Sequence, residues 1–268
     1  MTTEVLYHKV FKHSDPNADW VTMVHGAGGS SNIWYKQLRD FRKHFHILLL
    51  DLRGHGNSKN PFQNWMQREG YQFSDICDDV IKLLDFLKIE KSHFVGISLG
   101  TIIIREISEK YPGRVQKMVL GGAVIRFNLR SRILVRLAHA LKRILPFIWI
   151  YKIYAHILMP KKRHEKSRNL FINEARKIYQ KEFLRWIKIT SQIKPLMKLF
   201  RENPPKHPTL YLMGDEDYMF LPSVQIIASQ HKNSHLEIVP KSGHVCNVDQ
   251  PEFFNEKAIQ FLKGLNLY

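Results

Sequence analysis

Two cysteines in 268 residues, Cys77 and Cys246, are too few and too far apart for a disulfide framework or a metal cluster. Acidic side chains are also scarce: 24 Asp and Glu stand against 41 Lys and Arg, a formal charge of +17. The chain carries no G-x-G-x-x-G fingerprint and no P-loop lysine, which argues against the common dinucleotide and nucleotide sites. Zinc-finger spacing, an RNA-binding signature and an obvious recognition helix are missing too, so no nucleic-acid partner is expected despite the charge. No basic stretch followed by an apolar core opens the sequence, so no secretory signal is expected, and with reduced thiols the chain reads as cytoplasmic. The aromatic-rich run from Leu145 to Met159 is shorter than the roughly 20 residues a bilayer span needs. Lys152 and His156 interrupt it.

What is present is a core-forming composition, 44% apolar with 12% aromatic residues. Short apolar runs alternate with helical patterns, the signature of βαβ units in a mostly parallel sheet flanked by helices. The expected strands are Val5 to Phe11, Trp20 to Val24, His46 to Leu50, His93 to Val95, Lys117 to Leu120, Thr209 to Met213 and Leu236 to Val239. Helices are expected at Ile33 to Phe41, Phe73 to Leu87, Leu99 to Tyr111, Ser223 to Ser229 and Pro251 to Leu262. Phe73-Ser74-Asp75 offers capping chemistry, and Ile76, Val80, Leu83, Leu84 and Leu87 form an apolar stripe.

Between Gly122 and Pro204 the rhythm changes to helices alone, and basic residues crowd in: Arg126, Arg130, Arg132, Arg136, Lys142, Arg143, then Lys161-Lys162-Arg163. This predicts an α/β core over 1–122 and 205–268 with a helical insertion over 123–204. The run Leu145 to Met159 fits a helix packed over a pocket, the reading we favour. It also fits an interfacial helix, whose partner would be an anionic membrane surface. Leu134, Leu137, Leu141, Ile144, Leu145, Phe147 and Ile148 suggest an apolar substrate, although core packing asks for the same residues.

Gly96-Ile97-Ser98-Leu99-Gly100 sits between an apolar run and a helical one. A serine between glycines at a strand-to-helix junction is what a nucleophile elbow requires: a strained turn presents the hydroxyl, and side chains two before and two after would not fit. Four further segments fall where such a serine needs support. His25-Gly26-Ala27-Gly28-Gly29-Ser30 can bring the Ala27 N–H beside that of Leu99 as an oxyanion hole. Asp51-Leu52-Arg53-Gly54-His55-Gly56-Asn57-Ser58 reads as a structured turn, with Asp51 and His55 as scaffold. Gly214-Asp215-Glu216-Asp217 supplies a carboxylate to orient a histidine, and Lys241-Ser242-Gly243-His244 supplies that histidine as general base.

These ordered motifs resemble the α/β-hydrolase superfamily over nearly the whole chain, in the bacterial esterase- and lipase-like group with a helical cap. The order Ser98, Asp217, His244 is the family's. The resemblance selects Asp217 over Asp215, because the family's acid closes a G-x-x-D pattern; the other position the family uses is filled by Gly121-Gly122-Ala123, without a carboxylate. It implies a serine hydrolase that cleaves carboxylic esters of small apolar or lipid-like acids through an acyl-enzyme, with no metal or organic cofactor. Carbon–carbon bond hydrolases, thioesterases, lactonases and amidases share these motifs, and a non-catalytic ligand- or partner-binding role stands as an alternative of another class.

Overall fold

In the computed structural model, which describes residues 5–58, 71–127, 129–141 and 145–265, the apolar runs form one seven-stranded sheet. Its strands are β1 (His8–Phe11), β2 (Trp20–Val24), β3 (His46–Leu50), β4 (Ser92–Ile97), β5 (Val115–Gly121), β6 (Thr209–Gly214) and β7 (Ser234–Val239). They lie in the order β1-β3-β2-β4-β5-β6-β7; β1 runs antiparallel to β3 and every other neighbouring pair is parallel. Every residue of β3, β4 and β6 is buried, as strands covered on both faces must be. The edge strands β1 and β7 are only partly covered.

Alternate residues along each strand feed two cores, one on each face. Val21, Met23, Val95, Ile97, Leu210 and Leu212 point to one face, where α1 (Tyr35–Phe41) and a C-terminal helix (Pro251–Leu262) cover them. Leu48, Leu50, Phe94, Leu120, Tyr211 and Met213 point to the other, beneath α2 (Phe73–Phe86), α3 (Leu99–Lys110) and a helix at Leu221–Gln230. The alternating pattern in the sequence therefore produces the three-layer α/β architecture it predicts.

Three local expectations are corrected. The first strand starts later than its apolar pattern, at His8, because Tyr7 bonds instead to the turn after β3: its N–H donates to Ser58 Oγ and its carbonyl accepts the Asp51 N–H. The helix expected over Ile33 to Phe41 is split, with a 3₁₀ turn at Ser31–Trp34 leading into α1. Finally, no side chain of Phe73-Ser74-Asp75 caps α2; the Phe73 N–H donates 2.8 Å to Gln192 Oε1, more than a hundred residues away. The apolar stripe of α2 is as expected, with Ile76, Val80, Leu83 and Leu84 buried and Leu87 half-buried.

Between β5 and β6 the described residues form no strand. They form α4 (Leu129–Leu141), α5 (Phe147–Leu158), α6 (Glu165–Ala175) and α7 (Gln180–Glu202). Lys142, Arg143 and Ile144 lie outside the described residues. This segment shares the sheet's core: Leu158, Ile172, Trp186 and Ile193 pack in the cluster that holds Phe94 and Leu120. After β6 the chain adds α8 (Leu221–Gln230), the single turn α9 (Cys246–Asp249) and α10 (Pro251–Leu262).

Candidate active site

Ser98 joins β4 to α3 with φ 55° and ψ −120°, a left-handed conformation that costs a non-glycine residue roughly 1–3 kcal/mol. Neighbouring contacts hold it there. Its N–H donates to the Gly121 carbonyl (3.0 Å), while its own carbonyl accepts both the N–H (2.9 Å) and the Oγ1 hydroxyl (2.6 Å) of Thr101. The two glycines of the motif are needed for space rather than for positive φ. A Cβ on Gly100 would collide with the Val24 carbonyl, and one on Gly96 with Ile104.

The turn delivers the Ser98 hydroxyl to the last loop of the sheet. His244 Nε2 lies 2.9 Å from Ser98 Oγ, and its Nδ1 lies 2.8 Å from Asp217 Oδ2. A carboxylate oxygen can only accept, so Nδ1 carries the proton and Nε2 is left to accept from the serine. Asp217 is fully buried; its second oxygen accepts the Phe220 N–H at 3.2 Å, and the Phe220 ring tilts against His244 with centroids 5.1 Å apart. Asp215 points elsewhere: it is exposed, and its Oδ1 accepts the Ser242 N–H at 3.1 Å. The structure thus brings Ser98, Asp217 and His244 together and leaves Asp215 outside. Gly122, at φ 50°, lets the chain pass beneath the His244 carbonyl where a side chain would clash.

The glycine loop after β2 is fixed by two buried histidines. His25 Nε2 accepts the Leu52 N–H (2.9 Å) and Nδ1 donates to the Gly26 carbonyl (2.7 Å); burial pushes its pKa down, which favours this neutral form. His55 Nε2 accepts the Gly28 N–H (3.0 Å), with Nδ1 turned to the Arg53 carbonyl (3.1 Å). Asp51 accepts the N–H groups of Ser31 (2.7 Å) and Asn57 (2.8 Å). Asp51 and His55 therefore act as scaffold, holding the loop that carries Ala27. Leu99 is the first residue of α3, so its N–H has no acceptor within the helix. Ala27 and Leu99 line the same cavity as Ser98 and His244.

That cavity, of about 220 Å³, extends from Ser98 under the helical segment. Val135, Ile150, Phe183 and Ile187 come from the helices, and Ile102 and Phe220 from the α/β part. Among the described residues no charged side chain lines it. Tyr151 and Tyr154 reach its wall, and burial drives both phenol pKa values upward, so they stay neutral. Among the described residues no three His, Cys, Asp or Glu side chains converge as a metal ion would require. Cys77 and Cys246 are buried free thiols whose pKa values burial raises, which makes them poor nucleophiles.

Reasoning from sequence missed the side chains that join the helices to this site. Glu182 on α7 is buried, accepts the Tyr71 hydroxyl and pairs with Arg185 at 2.5 Å. Trp186 Nε1 donates to the Arg53 carbonyl (3.2 Å) and its ring meets His55 edge-on at 4.8 Å. Glu174 on α6 accepts the Ser30 hydroxyl at 2.6 Å. Fully buried His164 sits 2.8 Å from Glu216, the neighbour of Asp217, at an angle unfavourable for a hydrogen bond, and packs on Gly243, the neighbour of His244. A signal existed: Glu174 and Glu182 are two of only four acids in a strongly basic segment.

Residues 19–151 match the family model of the α/β-hydrolase fold. Over 96% of its length the chain is 27% identical to a putative carbamate hydrolase, RutD, of Acinetobacter baylyi, and the match covers 97% of that protein. An esterase from Exiguobacterium antarcticum superposes with a TM-score of 0.77 at 20% identity, over 96% of this chain and 95% of that one. The enol-lactonase of Burkholderia xenovorans superposes with a TM-score of 0.75 at 18% identity, over 96% of each. The chain has the α/β-hydrolase fold, and its relatives and structural neighbours are hydrolases of that superfamily.

Proposed function

We propose that this protein is a serine hydrolase that cleaves uncharged, apolar carboxylic esters by acyl transfer. One observation carries the reading: the hydrogen-bonded chain Asp217–His244–Ser98 opens into a cavity whose described lining includes no charged side chain. Ser98 Oγ attacks the ester carbonyl carbon while its proton passes to His244 Nε2. The carbonyl π electrons move onto oxygen, and the N–H groups of Ala27 and Leu99 receive that oxyanion. When the tetrahedral intermediate collapses, the bond to the leaving alcohol breaks and His244 returns the proton to it. Water, deprotonated by His244, then attacks the acyl-serine; the bond from the acyl carbon to Ser98 Oγ breaks, His244 returns the proton to Oγ, and the acid leaves. Asp217 holds the Nδ1–H tautomer and stabilises the imidazolium formed in each half.

In this reading residues 123–204 are a cap whose inner face, including Ile150, Phe183 and Ile187, receives the acyl chain. Carbamate, for which the Acinetobacter relative is named, is compact and polar, and the described lining offers it no charged partner. Dehalogenase and epoxide-hydrolase chemistry would place a carboxylate where Ser98 stands.

The test pairs a fluorophosphonate probe with a p-nitrophenyl ester series on wild-type protein and Ser98→Ala. Labelling and turnover should both vanish in the variant, and uncharged acyl chains should be preferred over charged ones. Labelling that persists in Ser98→Ala would remove the nucleophile assignment. A folded wild type that reacts with no activated ester would favour a binding role.

A further inference from the structure

Residues 123–204 hold 20 of the 41 lysines and arginines but only 4 of the 24 acids, so 16 of the 17 net positive charges lie there. Glu174 and Glu182 are buried, which leaves Glu165 and Glu202 as the exposed acids of the segment. Within this field α5 is apolar on two neighbouring faces, one turned to the cavity and one to solvent. Ile150, Tyr154 and Leu158 face the cavity. The same four-residue spacing sets Trp149, Ile153 and Ile157 in a stripe on the outer side, 54%, 41% and 41% exposed. Lys152 lies beside that stripe, with its Nζ 4.6 Å from the Trp149 ring centre, and His156 is exposed next to it. On α4 the pattern recurs: Val135 faces the cavity, while Ile133 and Leu137 are exposed next to exposed Arg132 and Arg136.

A helix with this much apolar surface on its water side is expected to have a partner. The chemistry of the patch specifies one: aliphatic and indole side chains that seek an apolar phase, surrounded by cations that seek phosphate. We propose that the outer faces of α4 and α5 dock on an anionic lipid surface. Trp149, Ile153 and Ile157 enter the headgroup–acyl boundary, and the surrounding lysines and arginines pair with phospholipid head groups. No described helix is long and apolar enough to cross a membrane, so α5 lies in the plane of the interface. A nucleic acid would satisfy the cations and leave the stripe in water, which is why lipid is the better fit. Docking needs neither Ser98 nor His244 and goes beyond the acyl-transfer reading.

The test uses the full chain carrying Ser98→Ala, so that no turnover complicates binding. It is sedimented with phosphatidylcholine vesicles with and without phosphatidylserine, at low and high salt. Binding should require phosphatidylserine and weaken about tenfold or more at high salt. Replacing Trp149, Ile153 and Ile157 together by serine should weaken low-salt binding about tenfold or more, with an unchanged thermal midpoint showing that the fold persists. Independently, tryptophan emission should shift to the blue on anionic vesicles, and the shift should be lost in Trp149→Phe. Absence of sedimentation at low salt would overturn the proposal. So would a triple variant that binds as tightly as its parent, or duplex DNA that strips the protein from vesicles at equal phosphate concentration.

Discussion

Outside residues 123–204 the chain holds 21 lysines and arginines against 20 acids; inside, the balance is 20 against 4. The near-neutral part carries the sheet, the strained serine and the His–Asp pair. Its functional polar groups are buried and answered: Asp51, His25, His55 and Asp217 each meet a backbone N–H as well as any side-chain partner. The basic part sends most of its described cations to the surface and turns an apolar wall toward Ser98. Fixed geometry thus belongs to a region where charges of the two signs balance, and an outward-facing field to a region whose shape rests on apolar packing and a handful of buried acids. If that division is right, substitutions on the two sides should fail in different ways.

The largest effect should fall on the α/β side, at Asp217. Asp217→Asn leaves the shape intact but lets His244 adopt the wrong tautomer, so kcat for a soluble ester should fall about 10⁴-fold. Asp215→Asn keeps an oxygen that can accept the Ser242 N–H, removes only the charge, and should lower kcat less than tenfold. Equal losses at the two positions would break the assignment of the acid. On the helical side the largest effect should be on stability. Glu182→Leu removes the buried carboxylate that pairs with buried Arg185 and accepts the Tyr71 hydroxyl. Urea unfolding should show a loss of about 3–5 kcal/mol. A loss below 1 kcal/mol would mean that the helices are not held to the sheet by this network.

Acid should weaken the α/β side first. Burial pushes the His93 imidazole down to about 4 from its usual 6.5, so the folded protein holds it neutral. Between these values the unfolded chain binds a proton that the folded chain does not. The stabilisation is therefore complete above pH 6.5, declines as pH falls from 6.5 to 4, and amounts to about 3 kcal/mol in total. His25, pushed the same way by burial, must also stay neutral to accept the Leu52 N–H. In His93→Gln the slope of unfolding free energy against pH should lose close to one proton over this interval. An unchanged slope would place the acid sensitivity elsewhere.

Much of this arrangement was legible in the amino-acid order. The parallel strands are continuous apolar runs because both faces are covered, and β2 and β3 fall where those runs fall. Ser98, Asp217 and His244 stood out because a strained elbow and two strand-end loops demand particular residues at particular spacings. What stayed hidden depends on partners distant in sequence. Gln192 takes the place of a local cap on α2, Tyr7 leaves the β1 ladder for Ser58, and Glu182 bonds Tyr71 across more than a hundred residues. No local pattern encodes such pairings. The two neutral histidines that hold the glycine loop show the same limit: their residue types were visible, but which backbone N–H each accepts was not.

The smallest effect is the most discriminating for the charge of the helical segment. Lys198 pairs with Glu202 at 3.8 Å, with side chains 68% and 59% exposed. At that exposure solvent and side-chain entropy cancel most of the attraction, so Lys198→Ala should move the thermal midpoint by less than about 1 °C. Glu182→Leu removes one charge from the same helix, and its effect should be many times larger. The contrast arises from burial rather than from the sign or number of charges. If Lys198→Ala destabilised the fold as much as Glu182→Leu, the surface cations would be structural. The excess charge of residues 123–204 would then need no outside partner. A silent Lys198→Ala leaves that excess free to act on whatever anionic surface the segment meets.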